Sequence, residues 1–242
     1  MITPKVAAVA ITKKGAQILA QLGPLLPEAD LIVAERFLEY LLGVPNRVST
    51  YQGPVGAQMG PLFKTYDQLI FCVSLGAVVR LAAPHLKTKE TDPGVLVIDD
   101  ACQFVVAVLS GHLGGANAFT LKVAKLLGAQ PVITTASDAG GTLAVDILGR
   151  EQGFKVEADK KTLIRLAAQV VNEEPVALVQ ESGTRDWWKG PIPENIKSFD
   201  WLEDADPNRF SGVLCITNRA LPLDLSKKWQ DRLVLYRPPE PL

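Results

Sequence analysis

The sequence predicts an α/β protein: a Rossmann-like, mixed but mostly parallel sheet with flanking helices, followed by a second, smaller α/β domain. Three observations carry this prediction. Short buried apolar runs alternate with amphipathic stretches from Val6 to Thr135, which is the signature of parallel strands joined by right-handed helical crossovers. One pair of runs is separated only by "DDACQ", which makes that pair a hairpin and the sheet mixed. After Asp146–Gly153 a helix-like stretch and three further apolar runs begin a second unit.

Taken in order, "VAAVAI" (Val6–Ile11) reads as the first buried strand and is too short for a signal peptide or a membrane span. "DLIVA" (Asp30–Ala34) and "QLIFCV" (Gln68–Val73) read as the next two strands, and "GVLVIDDACQFVVAVL" (Gly94–Leu109) as the hairpin. "ANAFTLKVAKLLGA" (Ala116–Ala129) places Phe119, Leu121, Val123, Ala124, Leu126 and Leu127 on one broad helical face. "PVITT" (Pro131–Thr135) returns to strand. In the second unit "KKTLIRLAAQVVNEE" (Lys160–Glu174) is an amphipathic helix, and Pro175–Gln180, Gly212–Thr217 and Arg232–Tyr236 are strands. Gly183–Gly212, rich in Pro, Gly and charge and holding three of the four tryptophans, reads as an irregular excursion. The expected domains are 1–150 and 151–237, with 238–242 a linker or truncated tail.

Hydrophobic residues make up 48% of the 242 positions and charged residues 21%, the composition of an ordinary water-soluble domain protein. With 25 basic against 26 acidic residues the chain lacks the basic surplus of a general nucleic-acid binder. Cys72, Cys102 and Cys215 are odd in number and far apart, which suits reduced core thiols in a cytoplasmic protein. Two histidines and no close cysteine pair argue against a metal site.

The most site-like stretch is "VLSGHLGGAN" (Val108–Asn117), between a strand and a helix. Such a turn gathers backbone N–H groups at the positive end of a helix dipole and favours anionic or carbonyl oxygens. Its glycines fit neither the dinucleotide fingerprint nor a P-loop. His112 is open to two readings, a general base near neutral pH or a histidine that fixes the turn. Ser110 suits capping of the next helix, or a bond within the turn, better than a nucleophile. "SLGAVVR", "SGHLGGAN" and "ASDAGG" each follow a strand, so a composite site at three strand ends is expected. Arg80 is either a bidentate carboxylate anchor or half of a surface ion pair. Asp138 either closes a turn or orients His112. Trp187 and Trp188 suit packing of the second unit better than stacking on a flat ligand.

"SLGAVVRLAAPHLKTKETDPGVLVIDD", "VLSGHLGGAN" and "PVITTASDAGGTLAVD" closely resemble the amino-terminal domain of the CbiG family, the cobalt-precorrin-5A hydrolases of the anaerobic route to cobalamin, and residues from 150 onward resemble that family's middle domain. The resemblance implies opening of the δ-lactone on ring A of a cobalt corrinoid, with loss of a two-carbon fragment as acetaldehyde. It implies no cofactor of the protein's own, because the cobalt arrives inside the substrate. On the matching positions the chemistry needs a base, for which His112 is the candidate, and an orienting carboxylate, Asp138 or Asp92. A cradle for negative charge would come from Gly111, Gly114 and Gly115. Arg80, Lys89, Ser110, Asn117, Thr134 and Thr135 would contact the carboxylated substrate. Members of the family continue past an "RP" dipeptide into a third domain, whereas this sequence reads "YRPPEPL". The expected partners are therefore the corrinoid and a carboxy-terminal domain or a precorrin methyltransferase, with no nucleic acid and no membrane.

Overall fold

In the computed structural model, which describes residues 4–88, 90–136 and 140–239, the chain forms two compact units divided between Thr134 and Thr135. The first contains β1 (Val6–Ala10), α1 (Lys13–Leu22), β2 (Ala29–Ala34), β3 (Val48–Tyr51), α2 (Gly56–Thr65), β4 (Gln68–Cys72), α3 (Leu75–Ala82), β5 (Gly94–Ile98), β6 (Phe104–Leu109), α4 (Ala116–Leu127) and β7 (Gln130–Val132). Its seven strands lie in the order β3-β2-β1-β4-β5-β6-β7. The first five are parallel, β6 pairs antiparallel with β5, and β7 runs with β6.

β1, β4 and β5 are buried along their whole length because both sheet faces are covered. Leu19, Leu22, Ile70, Leu96, Ile98, Phe119 and Val123 pack on one side, under α1 and α4. Val9, Met59, Phe71, Val78, Val95 and Val97 pack on the other, under α2 and α3. α1 starts at Thr12, whose hydroxyl accepts from Gly15 N at 2.9 Å. The hairpin between β5 and β6 is held by Asp99, whose Oδ1 accepts from the backbone amides of Gln103 (2.8 Å) and Phe104 (2.6 Å).

The second unit contains β8 (Lys155–Glu157), α5 (Lys160–Val171), β9 (Val176–Gln180), β10 (Ile196–Phe199), β11 (Gly212–Ile216), α6 (Leu223–Trp229) and β12 (Leu233–Arg237). Its sheet order is β10-β9-β11-β12-β8, parallel except for β8 against β12. The mixed, mostly parallel architecture in two α/β units is the one the sequence predicts.

The boundary falls earlier than the expected 150/151. Leu143, Val145 and Leu148 pack into the second core with Phe154, Leu166 and Leu214, and the buried Tyr236 hydroxyl donates to Val145 O at 2.7 Å. The expected tail also begins one residue later, because Pro238 is buried beside Gly183; Glu240–Leu242 lie outside the described residues. β3, β8 and β10 were not expected. All three are edge strands of three or four residues with at most one buried side chain, Tyr51 in β3 and Ile196 in β10, so none offers an apolar run. All three cysteines are free, Cys72 and Cys215 buried and Cys102 half-buried, and burial raises all three thiol pKa values. No described helix is long and apolar enough to cross a membrane.

Candidate functional site

The direction of each strand decides which motifs meet. β4 carries "SLGAVVR" at its carboxyl end, but β6 runs the other way, so the turn after Leu109 emerges beside the amino ends of β4 and β5: Leu109 pairs with Val95, and Gln68 at the head of β4 donates its amide to Gly114 O. The expected composite of three strand ends is thereby divided. Arg80 and the Ser110–Gly115 turn lie at opposite ends of a five-residue strand, roughly 17 Å at 3.3 Å per residue. The Arg80 guanidinium stays on its own helix, donating to Gly76 O at 2.9 Å. Thr134 follows β7 at the same end as the glycine turn and is exposed, while Thr135 opens the second unit. Lys89 and Asp138 lie outside the described residues.

The turn is built by its own backbone. His112 O accepts from Gly115 N (2.9 Å), Ser110 O from Ala116 N (3.2 Å) and Gly111 O from Asn117 N (3.0 Å). Gly115 has φ 78°, the left-handed region, and serves as N-cap of α4 without any side-chain cap. Gly114 is closed in differently, since a Cβ there would meet Ser110 Cβ at 2.3 Å and Ser110 O at 2.7 Å. These bonds take up the Gly115, Ala116 and Asn117 amides, whereas those of Gly111 and Gly114 carry no hydrogen bond among the described residues. The expected cradle narrows to those two donors. Asn117 is 6% exposed and packs beneath Gly111, inside the turn. His112 is half-buried. Asp92 stands in the loop that leads into β5, at the same end, but its carboxylate accepts from Lys87 N at 2.9 and 3.1 Å and so closes that loop.

Gly114→Ala is expected to destabilise the first unit by about 1–3 kcal/mol, the range for overpacking, because the added methyl meets backbone as well as side chain. Urea unfolding of the variant checks this, and an unchanged midpoint would mean that the turn relaxes around the methyl.

Three features escaped the sequence. Gln68 is a buried glutamine on an otherwise apolar strand, and its polarity at the head of "QLIFC" was the available signal. A cleft of about 620 Å³ opens at the carboxyl ends of β1–β3, lined by Ile11, Glu35, Tyr51, Gln52 and Val55 among others. In the second unit Trp187 and Trp188 pack against the core and border a pocket of about 230 Å³ with Leu143 and Ile147. Their indoles donate to Gln180 Oε1 (2.9 Å) and Pro191 O (3.1 Å), the packing role the sequence favours. Among the described residues no three His, Cys, Asp or Glu side chains come together to hold a metal ion.

Residues 57–138 match the family described as Cobalamin synthesis G N-terminal, and residues 143–238 that described as Cobalamin biosynthesis central region. The chain is 43% identical over 237 residues to a cobalt-precorrin-5A hydrolase from Priestia megaterium, covering 96% of this chain and 62% of that protein. It is 42% identical over 138 residues to the enzyme of the same name from Salmonella typhimurium, covering 57% of this chain and 37% of the relative. A solved cobalamin biosynthesis protein G homolog from Sulfolobus solfataricus aligns with 96% of this chain and 60% of its own at 18% identity and a TM-score of 0.49. The chain thus spans about three fifths of the length of the first of these relatives.

Proposed function

The chain belongs to the CbiG family, of which it carries the amino-terminal and central regions, and from that premise we propose that it acts in cobalamin biosynthesis as a cobalt-precorrin-5A hydrolase. The observation that supports the chemistry is the glycine turn, where a half-buried imidazole shares a few residues of backbone with two amides that have no partner among the described residues. In this reading His112 takes a proton from the water that adds to the ring A lactone carbonyl. The Gly111 and Gly114 amides bind the oxygen on which negative charge develops. Collapse of the adduct opens the lactone and frees the hydroxyl of the two-carbon fragment. Loss of that hydroxyl proton then expels acetaldehyde, while the electron pair of the broken carbon–carbon bond stays with the macrocycle. Cobalt enters as part of the substrate, and the macrocycle's acetate and propionate arms are its handles for binding.

The share of the relatives that this chain spans favours one second reading, a corrinoid-binding module that supplies part of a site completed by a carboxy-terminal domain or a methyltransferase. Acetaldehyde release from cobalt-precorrin-5A by this chain, with and without an added carboxy-terminal domain, separates the two. Release by the chain alone is expected. Release only on addition would assign it half of a divided site, and binding without release in both arms would overturn the hydrolase reading.

A further inference from the structure

We propose that Gln68 is the positioning residue of the glycine turn, fixing the Gly114 carbonyl and through it the placement of His112 beside the Gly111 and Gly114 amides. This rests on the reading of that turn as the reaction centre. Gln68 is 6% exposed and opens a strand whose other residues are Leu69, Ile70, Phe71 and Cys72. Its backbone is anchored, since Gln68 N donates to Lys5 O at 3.1 Å and the neighbouring Asp67 N donates to the same oxygen at 2.9 Å. From that fixed base the side chain crosses Gly94, where a Cβ would lie 2.2 Å from Oε1, and its Nε2 donates to Gly114 O. The side chain passes Gly115 as well, with Nε2 3.4 Å from where a Cβ would sit. Two glycines far apart in sequence, Gly94 and Gly114, thus meet one amide.

The balance of hydrogen bonds points to position rather than stability. Gln68 Oε1 has no hydrogen-bond partner among the described residues, and a buried acceptor left unsatisfied disfavours folding. An apolar side chain of the same volume would fill the space without that penalty. What it could not do is tie the turn to the sheet. Gly114 lies inside the span closed by the bond from Gly115 N to His112 O, so holding its carbonyl holds the short arc that carries the imidazole. A displacement of about 1 Å at a reacting group can lower a rate about a hundredfold.

The test is Gln68→Met in the full chain, with Gln68→Leu as a second apolar variant. Expected are a fall in kcat for acetaldehyde release of about 10- to 100-fold, KM within about threefold, and a thermal midpoint unchanged or raised. The chain has two histidines, His85 and His112, so their imidazole proton resonances can be assigned by single substitution and titrated by NMR. The His112 titration is expected to move in Gln68→Met while that of His85 stays. An unchanged kcat together with an unchanged His112 titration would overturn the proposal, as would a lowered thermal midpoint with both titrations altered alike. Were the wild-type chain to release no acetaldehyde either alone or with an added carboxy-terminal domain, the hydrolase reading would fail, and a His112 titration displaced in the variant would still carry the positioning role.

Discussion

Replacing His112 by alanine is expected to lower acetaldehyde release by a factor of about 10²–10⁴, the usual contribution of one general acid–base group, with little change in KM or thermal midpoint. The expectation follows from where the turn's bonds run. Three bonds between backbone groups close the arc, from Gly115 N to His112 O, Ala116 N to Ser110 O and Asn117 N to Gly111 O, and the Gln68 amide ties Gly114 O to the sheet. An alanine at position 112 keeps all three. A side chain whose removal leaves the arc in place can be judged on chemistry, and stopped-flow turnover under saturating substrate reads that directly. Turnover within tenfold of wild type would remove His112 from the mechanism and leave the two glycine amides as the chief contribution of this turn. A fall in thermal midpoint comparable with that of Gly114→Ala would instead show that the imidazole braces the fold.

The sequence made the architecture legible because its strands are buried on both faces: β1, β4 and β5 read as unbroken apolar runs. It hid β3, β8 and β10 for the opposite reason, as short edge strands with at most one buried residue have no periodicity to show. The composite site expected from three strand ends was misplaced in space. The proposed reaction centre lies in "VLSGHLGGAN", which the sequence groups with "SLGAVVR" as if both followed strands of one direction. The hairpin read from "DDACQ" already contained the correction, because a hairpin reverses the chain and sends the end of β6 to the opposite edge from the end of β4. Gln68 escaped for a subtler reason. One polar residue at the mouth of a strand resembles a boundary, and only the pairing of β4 with β5 puts it over Gly94 and under Gly114. The domain boundary was set by Tyr236, a contact from 91 residues away that no local pattern foretells.

Arg219→Met is expected to destabilise the second unit by about 2–4 kcal/mol at neutral pH, below the full 3–5 kcal/mol for breaking a buried pair because Arg219 is itself 35% exposed. Its partner is the buried one. The Glu181 side chain, at the carboxyl end of β9, is 3% exposed and accepts from Arg219 Nη2 (2.6 Å) and Nε (3.0 Å), Thr217 Oγ1 (2.6 Å) and Leu202 N (3.1 Å). Arg219 also reaches Glu203 at 2.8 Å and stands 5.9 Å from the Trp201 ring centre. Burial pushes the Glu181 carboxyl up, but the hydrogen bonds from Arg219, Thr217 and Leu202 N outweigh it and hold the pKa below its ordinary 4.5. The sign follows: a depressed folded value adds stability that is fully present above pH 4.5 and is lost as pH falls through the folded value. Without Arg219 burial acts against two neutral donors alone, so the variant should lose far less on acidification. Urea unfolding at pH 7 and pH 3 would then show the two proteins far apart at neutrality and converging in acid. Parallel curves would mean that Arg219 acts through packing of its stem and Trp201. Adding Glu181→Gln to Arg219→Met decides the cause independently, because removing the stranded charge should restore most of the loss at pH 7 if an unpaired buried carboxylate, rather than a missing contact, is what destabilises the unit.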